Sequence, residues 1–166
     1  MIGKKVQDAF NEQIKQEMQS AYLYLSMAAY FHSTGLDGMG QWMRLQSQEE
    51  TAHAMKLFDH IVERGGAVTL PALDKPKAKW TSPLAAFKDA YKHEQFITSC
   101  IDKLAALAEK EKDRAAGILL QWFVAEQVEE EANASKIVDT LERLGDSGNG
   151  LIMLDVQLGK RGAGGD

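Results

Sequence analysis

The sequence predicts an all-α protein, an antiparallel four-helix bundle with one long crossover connection and a short fifth helix near the C-terminal end. Only three of its 166 residues are prolines, and the long segments between glycine-rich stretches lack them, as helices require. In four of these segments, apolar residues recur at alternating steps of three and four, the pattern of a helix that faces a bundle core. We predict a single domain with a bundle over about 4–144, a fifth helix over about 147–160 and a flexible tail over 161–166.

The first helix is predicted from about Lys4 to His32, and Gly35 lies where it should end. Its core-facing stripe is apolar except for Glu17 near the middle. A carboxylate in a bundle core is costly unless another group pairs with it. Taken alone, Glu17 has an equally simple explanation as a surface residue on a slightly rotated helix. Its meaning therefore depends on the other three helices.

The second helix is predicted to begin after Asp37, a residue type suited to the N-cap, and to end at Gly65. Its core-facing stripe contains Glu50 and His53. Since they are three residues apart, the carboxylate and the imidazole lie on one helical face, where both can bind one metal ion. The Glu-x-x-His spacing also arises by chance on solvated helices. It indicates a metal site only in combination with its position near mid-helix.

The segment from 67 to 82 contains two of the three prolines and no helical period, and it is long for a connection within a bundle. It predicts a crossover along the bundle that makes the second and third helices parallel. Ser82-Pro83 predicts a helix start, with serine as the N-cap and proline at the first helical position. The third helix, which runs to about residue 112, places Glu94 in its core-facing stripe and His93 at the surface or between subunits.

The fourth helix is predicted from about Asp113 to Leu144, and its core-facing stripe contains Gln127 and Glu130 near the middle. The apolar segment 151–158 that follows is only about two helical turns long, so it cannot be stable alone. It must pack either on its own bundle or on another subunit.

Each of the four long helices thus carries polar residues within about one turn of its midpoint. In helices of roughly 28 residues, or about 42 Å, these midpoints meet in one layer of the bundle. The members of that layer are Glu17, Glu50, His53, Glu94, Gln127 and Glu130. A chance explanation would need the same accident on all four helices, so we predict a functional site.

The predicted layer has a specific charge balance. Four buried carboxylates cannot all remain ionised without counter-charge, and two divalent cations would balance their four negative charges. Carboxylates with a single histidine suit iron or manganese better than a structural zinc site, in which cysteine or more histidine is typical. The same balance predicts that the metal-free site holds protons and releases some of them when metal binds.

Composition narrows the class of protein further. The net charge of −5 and the lack of a basic stripe argue against nucleic acid as a partner. The single cysteine, Cys100, excludes an intrachain disulfide and the paired thiolates of an iron–sulfur or rubredoxin-type site. Neither a signal-peptide pattern nor an apolar run of membrane-spanning length is present, so we expect a soluble, cytoplasmic protein without membrane association.

The pattern of polar residues resembles the ferroxidase centre of the bacterial non-haem ferritins, and the resemblance covers nearly the whole chain. The matching motifs are Glu17, Glu50-x-x-His53, Glu94, Gln127-x-x-Glu130, and Tyr24 one heptad after Glu17. The resemblance implies a ferritin-like fold and a catalytic di-iron centre bridged by Glu50. Glu17 and His53 would complete the site of the first iron. Glu94 and Glu130 would hold the second.

The resemblance also implies roles for residues around the iron pair. Gln127 would form hydrogen bonds in the site and steer dioxygen, and Tyr24 would give an electron during oxygen reduction. A third iron site beside the pair would use Glu49, Glu126 and Glu129. By spacing alone, these three are ordinary solvated carboxylates. Tyr24 has a similarly simple alternative, as a core aromatic whose hydroxyl contacts the nearest carboxylate.

The resemblance implies an iron-storage protein with ferroxidase activity. Its partners would be Fe(II) and either dioxygen or hydrogen peroxide, and its product a hydrous ferric oxide held in a cage of 24 identical subunits. The fifth helix would cluster around a four-fold axis of that cage. Bacterioferritins carry a haem-binding methionine directly after the bridging glutamate, where this chain has Thr51, so no haem is expected.

Two other functions are compatible with the same residues. A di-iron oxidoreductase or peroxidase of the ferritin-like superfamily that does not store iron would use nearly the same ligands. It would need an electron donor, and the chain has no cysteine pair to serve as one. A purely structural bundle would be stabilised by Glu17→Ala or Glu94→Ala, because either change removes uncompensated buried charge. A closed cage with retained mineral would distinguish storage from both.

Overall fold

The computed structural model describes residues 1–162, which form five α-helices joined by turns and one long connection. In chain order the helices are α1 (Lys4–Ser33), α2 (Asp37–Glu63), α3 (Pro83–Lys110), α4 (Arg114–Leu144) and α5 (Gly148–Leu158). No β-strand occurs in this part of the chain, and none of its helices has the length and apolarity needed to cross a membrane. The predicted all-α bundle is confirmed, with helix ends close to those expected.

Two apolar clusters at opposite ends of the bundle define the helix directions. The lower core joins the start of α1 and α4 to the ends of α2 and α3, through residues that include Phe10, Ile61, Leu104 and Leu120. The upper core joins the opposite ends, through residues that include Phe31, Met39, Phe87 and Leu141. Helix α1 is therefore antiparallel to α2, and α3 is antiparallel to α4. As predicted, α2 and α3 are parallel.

The long connection between α2 and α3 lies along α1 without regular secondary structure. Three polar side chains of α1 donate hydrogen bonds to its backbone carbonyl oxygens. These bonds are 3.1 Å from Asn11 to residue 67, 3.0 Å from Gln19 to residue 74 and 2.7 Å from Ser26 to residue 77. Some backbone carbonyl oxygens of the connection thus find their hydrogen-bond partners on α1. The connection also returns the chain to the upper end of the bundle.

The helix starts agree with the sequence prediction in one case and differ in another. Ser82 caps α3, because its hydroxyl accepts a hydrogen bond from the Ala85 N–H at 3.1 Å. Asp37, by contrast, was wrongly predicted as the N-cap of α2. It is the first residue of that helix, and Leu36 occupies the N-cap position. The Asp37 carboxylate instead lies 2.7 Å from Nδ1 of His32, the partner that draws it away from a capping role.

Helix α5 packs on the start of α2 within the same chain. The Asp155 carboxylate accepts a hydrogen bond from the Met39 N–H at 2.7 Å and so caps α2 from a distance. A side chain at Gly38 would place its Cβ only 1.8 Å from the Asp155 carbonyl oxygen, so the close approach requires glycine. The predicted flexible tail is described only as far as Gly162, and residues 163–166 lie outside the described part of the chain.

Candidate metal centre

A polar layer separates the lower core from the upper core in the middle of the bundle. Its six predicted members are all buried, with exposed fractions of 0% to 5%: Glu17, Glu50, His53, Glu94, Gln127 and Glu130. Gln13 and Gln46 are buried as well and contact this layer. The bundle thus brings together, from four helices, the side chains that helical spacing placed in one layer.

Glu17, Glu50 and His53 form a group of potential metal ligands whose ligand atoms all lie within 4.8 Å of one another. His53 Nδ1 is 3.5 Å from Glu50 Oε2 and 3.9 Å from Glu17 Oε2. In residues 1–162, these are also the three fully buried side-chain polar atoms that lack a hydrogen-bond partner. Unpaired buried polar atoms are destabilising, and one cation between them would satisfy all three. The donor set therefore fits a metal ion.

Glu94 is held by two side chains from neighbouring helices. The Tyr24 hydroxyl donates a hydrogen bond to Glu94 Oε1, and Gln127 Nε2 donates to Glu94 Oε2 at 3.2 Å. Burial raises the pKa of Glu94. Burial and then the adjacent Glu94 charge also raise the pKa of Tyr24 well above its ordinary value. The phenol is therefore protonated at neutral pH and fixes the orientation of this carboxylate.

Glu130 and Glu50 are linked by Gln46. Its Nε2 donates to Glu130 Oε2 at 2.6 Å and to Glu50 Oε1 at 3.3 Å. Burial, and then the charge of Glu94, raise the pKa of Glu130 to about 7. Glu130 also belongs to a second group of potential ligands, with His53 and Glu126. The layer can therefore offer ligands on both sides of His53.

The carboxyl groups of the layer share one electrostatic property, a raised pKa. Burial is the largest cause for Glu17, Glu50 and Glu94 alike. For Glu17 the charge of Glu50 acts in the same direction, and for Glu50 the charges of Glu94 and Glu130 do so. The metal-free layer therefore holds protons that a divalent cation would replace, so that metal binding and proton release are linked.

The three residues predicted for a third iron site differ in their surroundings. Glu126 is half-buried, with Oε1 3.8 Å from His53 Nε2. Glu49 is half-buried, and its Oε2 accepts a hydrogen bond of 2.5 Å from Arg161 Nη2, whereas Glu129 is exposed. Among the described residues, neither Glu49 nor Glu129 joins a group of three potential ligands within 4.8 Å. The metal roles of these residues, like those of the layer itself, remain predictions.

Sequence reasoning missed three side chains that contact the site. Gln13 Nε2 donates to Glu17 Oε1 at 2.8 Å, and its position four residues before Glu17 on one face was an available signal. Gln46 has the same relation to Glu50 on α2. Arg161 Nη1 donates to Gln46 Oε1 at 2.8 Å across a separation of 115 residues. No local spacing indicates a contact of that kind.

Comparison with known proteins agrees with the fold. The Ferritin family, described as a ferritin-like domain, matches residues 7–144. A bacterial non-heme ferritin of Bacteroides fragilis (strain 638R) is 45% identical, over 97% of this chain and 100% of its own. One from Campylobacter jejuni is 40% identical over 93% of each chain. An open-pore ferritin from the hyperthermophilic archaeon Archaeoglobus fulgidus, a solved structure, is 52% identical, with a TM-score of 0.96 over 97% of this chain and 99% of that chain.

These similarities extend over the whole bundle and include the segment that forms α5. They agree with the all-helical fold of the chain. The chain therefore belongs to the ferritin family, and along nearly its entire length it is similar to the bacterial non-haem ferritins.

Proposed function

We propose that this protein is an iron-storage ferritin with ferroxidase activity, which oxidises Fe(II) and retains the product as a hydrous ferric oxide. The observation that carries the proposal is the convergence of Glu17 Oε2, Glu50 Oε2 and His53 Nδ1, three buried atoms without a hydrogen-bond partner. Two carboxylate oxygens and an imidazole nitrogen form a suitable ligand set for Fe(II). A substrate ion at this position would remove the destabilising effect of all three unpaired atoms at once.

A second Fe(II) would bind to Glu94 and Glu130, with Glu50 between the two ions. The charges of Glu94 and Glu130 both raise the pKa of Glu50, which supports their proximity to it. Two divalent substrate ions would balance the charges of the four carboxylates. Gln127, which donates to Glu94 Oε2, would orient that ligand and face the incoming oxidant.

The proposed reaction takes one electron from each of two Fe(II) substrates. Dioxygen accepts the two electrons and two protons and becomes hydrogen peroxide, which can in turn oxidise two further Fe(II) ions and form water. Fe(III) then hydrolyses to the hydrous oxide and releases protons. Tyr24 would give one electron to the oxygen species during its reduction, with its hydroxyl proton passing to Glu94, the carboxylate to which it already donates. A further Fe(II) would then reduce the phenoxyl radical, and the phenol would regain its proton.

Residues on the half-buried side of the layer extend the proposal. Glu49, Glu126 and Glu129 would form a third iron site, and the 3.8 Å distance from Glu126 to His53 supports its closeness to the pair. Thr51 follows Glu50, where the haem-binding methionine of bacterioferritins stands, so we propose a centre without haem.

Storage needs an enclosed volume, so the proposal includes a cage of 24 subunits. The outward face of α5 supports subunit contacts, because Ile152, Met153 and Val156 are 62%, 74% and 57% exposed in the single chain. Adjacent exposed apolar residues are typical of an interface. We also propose a cytoplasmic location, which suits a chain with a single cysteine.

Aerobic loading with a ferrous salt, followed by size-exclusion chromatography, tests the proposal. Storage predicts iron far in excess of the ligand sites, eluting with a large assembly. About two ions per chain on a small oligomer would instead indicate a non-storing di-iron oxidoreductase. No retained iron would contradict any iron function. Glu50→Gln should slow oxidation strongly, whereas Glu12→Gln, at an exposed position on α1, should leave the oxidation rate unchanged.

A further inference from the structure

Arg161 joins the end of the α5 segment to the metal centre. Its Nη1 donates to Gln46 Oε1 at 2.8 Å, and its Nη2 donates to Glu49 Oε2 at 2.5 Å. The guanidinium also lies over the ring of Trp42, 4.7 Å from the ring centroid. Three residues on one face of α2 therefore contact the guanidinium of Arg161, which follows α5 and lies more than 100 residues later in the sequence.

The contact with Gln46 reaches the predicted iron ligands. A guanidinium has only donors and keeps its charge at all physiological pH values, so it binds the oxygen of the Gln46 amide. The NH2 group of that amide donates to Glu130 at 2.6 Å and to Glu50 at 3.3 Å. These two buried bonds keep the amide in place without the guanidinium, so Arg161 lies beside the two core positions and does not orient their ligands.

The contact with Glu49 places a positive charge where the third iron site was predicted. The carboxylate of Glu49 is half-buried and is already paired with the guanidinium. A metal ion that binds the same oxygen competes with Arg161, because the two cations repel each other at this separation. The charge of Glu49 also raises the pKa of Glu130, which places Glu49 electrostatically close to the layer.

The segment that carries Arg161 is ordered by its own backbone. The N–H groups of Gly159, Lys160 and Arg161 donate to carbonyl oxygens of α5 at 3.0, 3.2 and 3.2 Å. Asp155 anchors the same helix to the start of α2. Little backbone entropy is therefore lost when the guanidinium reaches α2, which favours a persistent contact over a transient one.

We propose that Arg161 is a resident cation at the half-buried edge of the metal centre, which competes with a metal ion for Glu49. The segment after α5 thereby lowers the affinity of the third metal position and leaves the two positions in the core unaffected. This inference rests on the proposed function, since it concerns access to the same centre.

Equilibrium dialysis of the intact assembly against zinc tests the inference with a redox-inert ion. The wild type should show two tight zinc ions per chain and a weaker third. Arg161→Gln should tighten only the third, by about fivefold, which corresponds to the roughly 1 kcal/mol expected of a partly exposed ion pair. Lys160→Gln is the matched control, because it removes the same charge from the adjacent, exposed residue. It should leave all three affinities unchanged.

A double-variant cycle shows whether Arg161 acts through Glu49. In a Glu49→Gln background, Arg161→Gln should no longer change the weakest affinity. Arg161→Lys keeps the charge but loses the planar fork and the stack on Trp42, so it should tighten the third position less than Arg161→Gln does. Circular dichroism and chromatography establish that every variant folds and assembles before binding is compared.

The outcomes separate the two proposals. An unchanged or weakened third position in Arg161→Gln, with two tight sites intact, would overturn the role of Arg161 and leave the proposed function in place. An effect of Arg161→Gln that persists in full without Glu49 would overturn the inference as well. If the wild type bound no zinc tightly, the proposed metal centre itself would fail, and the inference would fail with it.

Discussion

Glu17→Gln should stabilise the metal-free protein and reduce the stability that metal adds. Glu17 is completely buried. Its Oε1 accepts a hydrogen bond from Gln13 at 2.8 Å, whereas its Oε2 has no partner. Burial and the neighbouring Glu50 raise the pKa of Glu17, so its charged form is disfavoured in the fold. A glutamine keeps the acceptor for Gln13, and its NH2 group can donate to Glu50 Oε2, which also lacks a partner.

The expected gain follows from these unpaired atoms. Satisfying a buried polar group is worth about 1–3 kcal/mol, and each kcal/mol raises the melting temperature of a domain of this size by about 2–4 °C. We therefore expect a metal-free variant that melts roughly 2–12 °C above the wild type at about pH 7.5. Because the folded-state pKa of Glu17 lies above the ordinary value of 4.5, the wild type loses stability as pH rises above that value. The gain should accordingly shrink as pH falls towards it.

Zinc should stabilise the wild type more than it stabilises the Glu17→Gln variant. A ligand at a hundredfold excess over its Kd stabilises the fold by about 2.7 kcal/mol, and each tenfold loss of affinity removes about 1.4 kcal/mol of that amount. A neutral amide is a poorer ligand than a carboxylate, so zinc should raise the melting temperature of Glu17→Gln less than that of the wild type. Scanning calorimetry of the intact assembly, with and without zinc, measures both quantities.

Glu12→Gln is a matched control on the same helix. Glu12 Oε1 accepts a hydrogen bond of 2.8 Å from Gln16 at an exposed position, so the change removes one charge from an equivalent pair outside the core. It should leave both melting temperatures within about 1 °C of the wild type. A metal-free Glu17→Gln protein that melts below the wild type, or that zinc stabilises equally well, would refute the reasoning.

Three other perturbations test separate features of the molecule. Glu94→Ala should slow Fe(II) oxidation at least about tenfold, since it removes a proposed ligand of the second ion; stopped-flow absorbance measures the rate, and a wild-type rate would exclude that ligand. Zinc binding should release more protons near pH 6 than near pH 8.5, because the pKa of Glu130 is about 7; equal release in a pH-stat would contradict this. Asp155→Ala should lower the melting temperature by about 2–4 °C, because it removes the acceptor of the Met39 N–H at the start of α2. The exposed Gln157→Ala serves as its control in the same calorimetric scan, and equal melting temperatures would contradict the capping role.

Helical spacing predicted the bundle well because each long helix has a continuous apolar stripe with one interruption. Glu17 illustrates the reason, since its own stripe left a surface position possible and the matching interruptions on the other three helices indicated a buried layer. The same argument applied to Glu94 and Glu130. Spacing along each helix thus indicated which side chains enter the layer, and the similar lengths of the four helices indicated that they meet.

Contacts between distant parts of the chain could not be predicted in this way. His93 was expected at the surface or between subunits, yet it is half-buried, with Nε2 2.7 Å from the Ser20 hydroxyl of α1. Burial lowers the pKa of His93 to about 4. Arg161 contacts α2 from the segment after α5, a helix that approaches α2 too closely at Gly38 for any side chain there. Both contacts depend on how separate helices pack together. Helical spacing indicates which face of a helix is buried, but it does not indicate which distant residues that face contacts.

The division of the apolar interior into a lower and an upper core has a consequence for the evolution of this fold. Tyr24 of the upper core and Phe123 of the lower core contact Glu94 and His53, but effects of substitutions at positions well separated from the layer usually add to those within it. Each end of the bundle can therefore exchange apolar side chains to adapt its melting temperature or its neighbours in an assembly. Exchanges at positions other than Tyr24 and Phe123 leave the chemistry at the centre unchanged, so one arrangement of ligands can persist while the two ends of the molecule diverge.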